Sequence, residues 1–436
     1  MIHVCIRAAL AAVLCCLASV AMADPVGPYG TRTPTVAFDP IADRGLVVYE
    51  AGGRIYGKFV DSAGRSAVGS EFQIFPRSLS SASRYRDPAI VFKSPQNRFY
   101  VAARQSYPSR FNFPDGPVVF DTADGIAVTA LDAAGTRLFD RTLYTPGFLR
   151  SAFTVDAEAR PALAADDFAD ANCCVAVAWE DPRVPDRIVL SRLAPNLDLF
   201  DATPQLVATP AGAVSGLAAV YERPRDRFAF AYDGCTASGR ACNGFVTGIA
   251  ALGAPAPLHL LLPKPANPTQ NPVAPAIAYV PQSRRYVLTW RWSTYATASA
   301  PARSGTAFAT AASGADGALT LGTPNYDLGA IVGPCTVCST TSPADRATIV
   351  PIAASARAMV IAPSATAGRT DRLLAGYLVD SATMAVIGGY RYSTNASYIG
   401  RGGAAFSPSG GAIATWQQDV LSGGVDAGVW AGPTMP

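Results

Sequence analysis

The pattern of polar and apolar positions recurs along this chain, and we call each repeating unit a block. Each block begins at a proline or small residue, continues as a short alternating strand, passes a polar turn and ends in a second apolar strand. The clearest copies span 34–50, 88–104, 275–291 and 403–417, two looser copies span 161–180 and 216–233, and the weakest spans 347–361. Alternation with a period of two predicts β-strands throughout the chain.

A second half follows each block, consisting of another apolar strand and a turn marked by Asp or Gly, as in 55–64 and 126–135. Consecutive copies begin 54 to 73 residues apart, which suits a four-stranded propeller blade with variable loops. No helical pattern is present to cover a sheet, so the sheets must bury one another. We predict an all-β fold, a β-propeller of about seven four-stranded blades. Six or eight blades are alternatives, and tandem β-sandwiches are the rival architecture.

The last copy offers no clear fourth strand. Propellers often close when the N-terminal segment completes the last blade, and residues 24–33 are the segment available for this. Pro25 and Pro28 make that segment a poor strand. We nevertheless expect residues 24–436 to form a single propeller domain.

The first 23 residues have the features of a signal peptide. Arg7 precedes the apolar run 8–20, and Ala21-Met22-Ala23 provides the small-x-small pattern that signal peptidase reads. An uncleaved membrane anchor is the alternative, but the run is shorter than the roughly 20 apolar residues that span a bilayer. We therefore expect a secreted or periplasmic protein that begins near Asp24 and has no integral membrane segment after cleavage.

Charge and cysteine content narrow the partners and the compartment. Without residues 1–23 the chain has 34 basic and 32 acidic residues, a balance that does not favour nucleic acid as a partner. Six cysteines remain, and an even number in an exported protein favours disulfides. They lie in close pairs, which are Cys235 with Cys242, Cys335 with Cys338, and the adjacent Cys173 and Cys174. Local loop disulfides are expected for the first two pairs, whereas Cys173 and Cys174 form either a vicinal disulfide or bonds to separate partners.

The repeat resembles those of propellers common among exported bacterial proteins, in which P-x-hydrophobic-A-aromatic units alternate with D-x-x-G turns. The resemblance covers nearly all of the chain after residue 23. It concerns architecture, and such propellers include binding, scaffolding and catalytic proteins.

In a propeller, the loops that join the second strand to the third, and one blade to the next, emerge on a single face where ligands usually bind. The repeat places a mixed ring of arginines and carboxylates on that face. Guanidinium groups bind carboxylates with two parallel hydrogen bonds, so an anionic ligand such as an acidic sugar is one interpretation and ion pairing between blades is the other. The candidate ligand-binding residues are Arg86, Arg104, Arg160, Arg291, Arg346 and Arg401, with Trp292 as a stacking surface.

Catalysis has weaker support. His259 is the one histidine after residue 23, and no nucleophile or nucleotide-binding motif occurs in a suitable context. Paired carboxylates remain as acid and base candidates, namely Asp87, Glu158, Glu180, Asp181 and Asp345. We predict a non-catalytic exported binding propeller for a glycan or protein ligand. The alternatives are a carbohydrate-active enzyme, either a glycoside hydrolase or a polysaccharide lyase, and a structural envelope protein.

Two further features concern the loops. The insertion 105–125 is rich in aromatic and acidic residues, which favours a lid or recognition loop over surface decoration only weakly. The acidic turn with Asp166, Asp167, Asp170 and Asn172 offers oxygen ligands for calcium but lacks the spacing of a calcium loop. No cofactor is therefore expected.

Overall fold

The chain folds into a β-propeller of antiparallel sheets. The computed structural model describes residues 24–429 except for 28–31, 63, 67–70, 76–83, 114–115, 144–159, 168–173, 182–186, 211, 213, 215, 236–241, 251–259, 265–272, 295–302, 315–317, 333–346, 366–371, 392–401, 408–410 and 418–424. Within these residues the strands form seven sheets, each with at least four strands. This number lies within the six to eight blades that the repeat allows.

The blades follow one another along the chain, and the strands of each blade run in sequence order from the inside outwards. A short first strand, β1 (Asp24–Gly27), precedes them. Blades 1 to 3 contain β2 (Arg32–Asp39), β3 (Arg44–Ala51), β4 (Arg54–Asp61) and β5 (Phe72–Gln73); β6 (Arg84–Lys93), β7 (Arg98–Phe113), β8 (Gly116–Asp132) and β9 (Arg137–Thr142); and β10 (Ala162–Ala165), β11 (Val175–Glu180), β12 (Ile188–Leu193) and β13 (Gln205–Ala208).

The remaining blades repeat this order, and the fifth carries an extra strand. Blades 4 to 7 contain β14 (Leu217–Glu222), β15 (Arg227–Cys235), β16 (Cys242–Ala250) and β17 (Leu260–Leu261); β18 (Val273–Val280), β19 (Arg285–Thr294), β20 (Arg303–Ser313), β21 (Leu319–Leu321) and β22 (Asn325–Val332); β23 (Thr348–Pro351), β24 (Arg357–Ala365), β25 (Arg372–Asp380) and β26 (Val386–Arg391); and β27 (Gly403–Ser407), β28 (Gly411–Gln417) and β29 (Val425–Val429). Two 3-10 turns, Ser94–Gln96 and Arg223–Arg225, join first to second strands in blades 2 and 4.

The ring is closed. The inner strand of every blade contacts the inner strand of the next, and β27 of blade 7 contacts β2 of blade 1. The N-terminal strand β1 pairs antiparallel with β29, with Asp24 opposite Ala427, and so becomes the fourth strand of blade 7. Val26 of β1 is buried against blade 1. Closure by the N-terminal segment occurs despite Pro25, because β1 forms an edge, where a missing N–H is tolerated.

Close approach between blades explains why each repeat begins at a small residue or proline. A Cβ atom at Gly216 would lie 2.7 Å from the Cα of Ala274 in blade 5, and one at Gly403 would lie 2.6 Å from the Cα of Thr35 in blade 1. Both glycines stand at the start of an inner strand. The backbones of neighbouring inner strands therefore meet at this end with no space for a side chain.

The core lies between the blades. The aromatic residues that close the second strands are buried, as expected for packing residues: Tyr49, Trp179, Tyr232, Trp290 and Trp416 are all at most 3% exposed. Each hydrophobic cluster that spans two blades joins the facing surfaces of neighbours, for example Phe59 of blade 1 with Phe99 of blade 2. Every sheet is thus covered by the next.

The D-x-x-G turns of the repeat join third to fourth strands. The side chain of Asp61 accepts a hydrogen bond from the Arg65 N–H at 2.8 Å, and Asp132 accepts one from Ala134 at 2.9 Å. The glycine of each turn adopts a left-handed backbone, with φ of 63° at Gly64 and 86° at Gly135. The motif is therefore explained by turn geometry, since the aspartate caps the turn and glycine permits positive φ.

Charged residues are buried at the other end of the inner strands, where each turns into the second strand. Lys93 of blade 2 forms an ion pair with Asp166 of blade 3, and both side chains are at most 2% exposed. Glu222 accepts hydrogen bonds from Arg225, Arg227 and Tyr286. Burial raises the pKa of the Tyr286 phenol, which stays protonated and donates to Glu222. These contacts tie blade 2 to blade 3 and blade 4 to blade 5.

Replacement of Gly216 tests the close approach of the inner strands. Gly216→Ala is expected to lower the free energy of unfolding by about 1–3 kcal/mol, because the new Cβ overlaps the Ala274 backbone. The control is Gly389→Ala on the exposed strand β26, where the nearest atom is 3.9 Å away, with an expected change within about 0.5 kcal/mol. Chemical denaturation measures both; equal effects would contradict the packing described above.

Candidate functional site

One face of the ring carries the predicted site residues. The start of each inner strand pairs with the end of the second strand: Arg86 lies opposite Arg104, and Val273 opposite Arg291. Neighbouring inner strands also meet at their starts, as Gly216 and Gly403 show, so these ends lie on the same side of the ring. We call this side the upper face.

Arginines are concentrated on the upper face of blades 2 and 3. We call Arg84, Arg86, Arg104 and Arg160 the arginine cluster; Arg84 is exposed and the other three are partly exposed. Arg86 and Arg104 are direct partners across the strands, so their side chains leave the sheet on the same side. Two guanidinium groups on one side of a sheet can both donate charge-assisted hydrogen bonds to the same anion. Arg291 lies on the same face in blade 5, partly exposed.

A backbone irregularity beside the cluster sets its geometry. Asp87 has a φ of 53°, and the register of β6 with β7 shifts between Arg86 and Ala89. The same device recurs at Thr33 and Ala274, with φ of 51° and 49°, and a proline follows at each place. A bulge of this kind redirects the side chains next to it. The bulge at Asp87 therefore sets the position of Arg86 opposite Arg104, and two other inner strands carry the same kind of bulge.

The carboxylates of this face are mostly internal. Asp233 is fully buried and accepts hydrogen bonds from the Gly216 N–H at 2.8 Å and from the Ala274 N–H at 2.7 Å, which joins blade 4 to blade 5. Asp87 and Asp181 are 8% and 2% exposed, whereas Glu180 is partly exposed. Asp233 therefore shows that a carboxylate at the end of a second strand can link two blades through hydrogen bonds.

Trp292 does not offer the stacking surface that the sequence suggested. Its side chain is 3% exposed and packs edge-on against Tyr326, with ring centroids 5.7 Å apart. Tyr326 belongs to β22, the extra strand of blade 5, which pairs with β20. Because the repeat contains no counterpart of β22, the pattern gave no sign that this strand covers Trp292.

The insertion after Arg104 is a β-hairpin. β7 and β8 remain paired from Ser106 opposite Ala123 to Phe113 opposite Gly116, a region that we call the arm. Eight residues per strand make the arm about 27 Å long. It begins at a register shift between Gln105 and Ser106, next to the arginine cluster. The expectation of a loop was wrong in its backbone conformation, since the strands simply continue past the sheet.

Several predicted site residues lie outside the described residues. These are Glu158, Asp345, Arg346 and Arg401 of the charged ring and the cysteines Cys173, Cys335 and Cys338; His259, which is not a predicted site residue, lies outside them too. Cys174 is buried and disulfide-bonded. For the residues outside the described ranges, a part in the site stays a prediction.

The described residues contain no group of three or more His, Cys, Asp or Glu side chains arranged to hold a metal ion. Of the acidic turn considered for calcium, Asp166 is engaged by Lys93 and the Cys174 N–H, and Asp167 lies 3.4 Å from Arg223. Among the same residues, no helix has the length and apolar character needed to cross a membrane.

A cavity lies away from the arginine cluster. It measures about 690 Å³, lies between the outer strands of blades 1 and 2, and is lined by Phe59, Phe72, Phe75, Leu131 and others. Leu131 pairs with Phe99 near the start of β7, whereas Arg104 lies further along the same strand, on the upper face. This cavity therefore faces the lower and outer side of the ring. None of the predicted binding residues lines it.

Comparison with known proteins adds information at the level of fold only. No protein-family model and no curated protein matches the chain. Among solved structures, it is similar to the β-propeller domain of Cps50 (Swd1) from Myceliophteria thermophila, with 10% identity, a TM-score of 0.47, and coverage of 92% of this chain and 100% of that one. The Dos1 propeller matches with 13% identity, a TM-score of 0.40, and coverage of 93% and 88%. A Trypanosoma rangeli sialidase matches with 10% identity, a TM-score of 0.43, and coverage of 92% and 54%.

The upper face also allows a test of one predicted disulfide. Cys235 and Cys242 are direct partners at the ends of β15 and β16. Opposite residues in an antiparallel pair have Cα atoms about 4.5–5.5 Å apart, which a disulfide can bridge. Peptide mapping by mass spectrometry without reduction is expected to find these two cysteines linked.

Loss of this bond by Cys235→Ser is expected to reduce stability by about 2–3 kcal/mol, the usual value for a short loop. Complete alkylation of both cysteines in the unreduced protein would contradict the pairing.

Proposed function

We propose that the protein is an exported, non-catalytic binding propeller that holds an anionic ligand against its upper face. The ligand is an acidic glycan or an acidic segment of a protein. The observation that carries this proposal is the placement of Arg86 directly opposite Arg104 beside Arg84, at the base of the arm. The propeller fold itself is one that supports binding or scaffolding.

Electrostatics favour an anion at this place. Two guanidinium groups on the same side of a sheet concentrate positive charge, and an anionic ligand there accepts charge-assisted hydrogen bonds from both. Arginine suits this role because its planar fork matches a carboxylate. Partial exposure of both side chains leaves them accessible from the upper face.

The carboxylates favour binding over hydrolysis. Acid and base catalysis needs two carboxyl groups that face the substrate at a defined separation. Of the described candidates, Asp87 and Asp181 are buried, and Glu180 alone is partly exposed, so these three do not present a pair of carboxyl groups to a substrate. Export rests on the predicted signal peptide, residues 1–23.

The binding test uses polygalacturonate, polysialic acid and an acidic peptide as probes, with neutral dextran as the reference. Arg86→Ala and Arg104→Ala are each expected to weaken retention of the acidic probe by roughly tenfold or more, because each removes a charged hydrogen-bonding group. The matched control is Arg65→Ala, an exposed arginine in a turn at the lower side. Biolayer interferometry measures the affinities, and a reducing-sugar assay tests for turnover.

Thermal unfolding without ligand provides the second readout. A melting temperature close to that of the wild type in each variant shows that a loss of retention comes from the removed guanidinium group and not from unfolding. Equal binding by wild type and both variants, or turnover of an acidic glycan, would overturn the proposal.

A further inference from the structure

The cavity between the outer strands of blades 1 and 2 has the size of a small-molecule site. Its volume is about 690 Å³, and ligand pockets typically measure about 300–1,000 Å³. Blade 1 forms one side of the cavity through β4 and β5, and blade 2 forms the other through the turn that joins β8 to β9. Two sheets with hydrogen-bonded backbones thus frame the space.

Apolar side chains form most of the inner wall. Phe59 and Phe75 are buried, whereas Phe72 is partly exposed to the cavity mouth. The ring centroids of Phe59 and Phe72 lie 5.8 Å apart. Two buried aliphatic residues complete this wall, Ile74 of blade 1 and Leu131 of blade 2. Aromatic rings pair with each other in tilted or offset arrangements at such distances, so a planar aromatic ligand finds ring partners here.

Contacts between the blades hold the two sides of the cavity in place. A Cβ atom at Gly135, in the turn of blade 2, would lie 2.7 Å from the ring of Phe72 and 3.0 Å from that of Phe59. Arg44 of blade 1 donates a hydrogen bond to the carbonyl oxygen of Ala133 in the same turn, and its guanidinium lies 4.3 Å from the centre of the Phe59 ring. The cavity is therefore shaped before a ligand enters, which reduces the ordering cost of binding.

Among the described lining residues, Arg137 at the start of β9 is the one with a positively charged side chain. Its partner across the strands is Leu131, which packs towards blade 1, so Arg137 leaves the sheet on that side too. Its Nε lies 3.1 Å from Oδ2 of Asp140, and this is its only pairing with a described residue. A guanidinium has five N–H donors, so its terminal nitrogens can bind a second carboxylate.

The acidic residue of the lining is engaged by another part of blade 1. Glu71 accepts a hydrogen bond from the hydroxyl of Tyr49, which belongs to the cluster that blade 1 forms with blade 7. Burial raises the pKa of the Tyr49 phenol, so the phenol stays protonated and keeps this bond. The Gln73 side chain donates to the carbonyl oxygen of Phe75 at 2.5 Å. An anion in the cavity therefore meets a guanidinium and apolar surface.

We propose that this cavity binds a small aromatic carboxylate, with its rings against Phe59 and Phe72 and its carboxylate on Arg137. The apolar wall favours an aromatic body over a sugar, because sugar hydroxyls would lose hydrogen bonds to water there. Arginine favours a carboxylate because its planar fork matches the two oxygens. The cavity shares no residue with the arginine cluster, so this inference does not depend on the function proposed for the upper face.

Naphthoate and its uncharged analogue naphthamide are probes that separate the contribution of charge from that of the rings. Isothermal titration calorimetry on the full chain, with probe up to about 1 mM, is expected to show roughly tenfold tighter binding of naphthoate. Arg137→Gln is expected to weaken naphthoate binding by roughly tenfold and to leave naphthamide binding unchanged, because only the carboxylate uses the guanidinium.

The matched control is Arg141→Gln on the same strand. Arg141 also lies near an aspartate, 4.0 Å from Asp198, but its partner across the strands is Val128, which packs towards blade 3. This substitution is expected to change the binding of neither probe.

The aromatic wall has its own pair of variants. Phe72→Ala removes a ring that lines the cavity and is expected to weaken binding of both probes by roughly tenfold. Phe139→Ala removes an exposed ring of β9 that lies opposite Ala130, on the side of blade 3, and is expected to affect neither. Melting temperatures near that of the wild type show that the ring of blades is intact. Arg137 is exposed, so the comparison of the two arginines remains valid even if Phe72→Ala fails to fold.

Several results would overturn the inference. No measurable binding of naphthoate up to about 1 mM excludes the site. Equal affinity for naphthoate and naphthamide excludes a role for the carboxylate. Equal losses from Arg137→Gln and Arg141→Gln, or from Phe72→Ala and Phe139→Ala, show that the probe binds elsewhere on the protein.

Discussion

The mutual burial of neighbouring sheets is the constraint on which this structure depends. The described residues include no helix longer than a single 3-10 turn, so each sheet can be covered only by the next. Backbones of adjacent inner strands approach so closely at Gly216 and Gly403 that a Cβ atom would overlap the neighbour. Asp233 fixes the same junction with hydrogen bonds to two blades. The pairing of β1 with β29 gives blade 7 its fourth strand and joins the two ends of the ring.

Much of this architecture could be predicted from the sequence, because it follows from local patterns that repeat. The start of each copy is small or proline since a neighbouring backbone lies against it, and the D-x-x-G turns follow from capping by Asp61 and Asp132. Closure by the N-terminal segment was one possibility that the sequence left open, because its prolines argue against a strand. The preference of proline for an edge position resolves that conflict, since β1 stands at the edge of its sheet among the described strands, next to β29.

The site was predicted less completely, because its geometry depends on departures from the repeat. The repeat placed Arg86 and Arg104 on one face, but their direct opposition requires the register shift at Asp87. Trp292 is covered by β22, which has no counterpart among the described strands of the other blades. The arm was taken for a loop, although the alternation of Tyr107, Phe111 and Phe113 with polar residues was a signal for a strand. Ion pairs between blades, such as Lys93 with Asp166, join positions that are far apart in the sequence, so no local sequence pattern reveals them.

Ring closure also positions the upper face, since the arginine cluster spans two blades whose relative placement depends on every junction. Hydrogen exchange on the chain that begins at Asp24, compared with a chain lacking residues 24–27, tests closure most directly. The account predicts slow exchange at β28 and β29 in the intact chain. Without β1, exchange should be faster throughout blade 7 and in β2, with a lower melting temperature. Identical exchange and melting in the two chains would contradict the account.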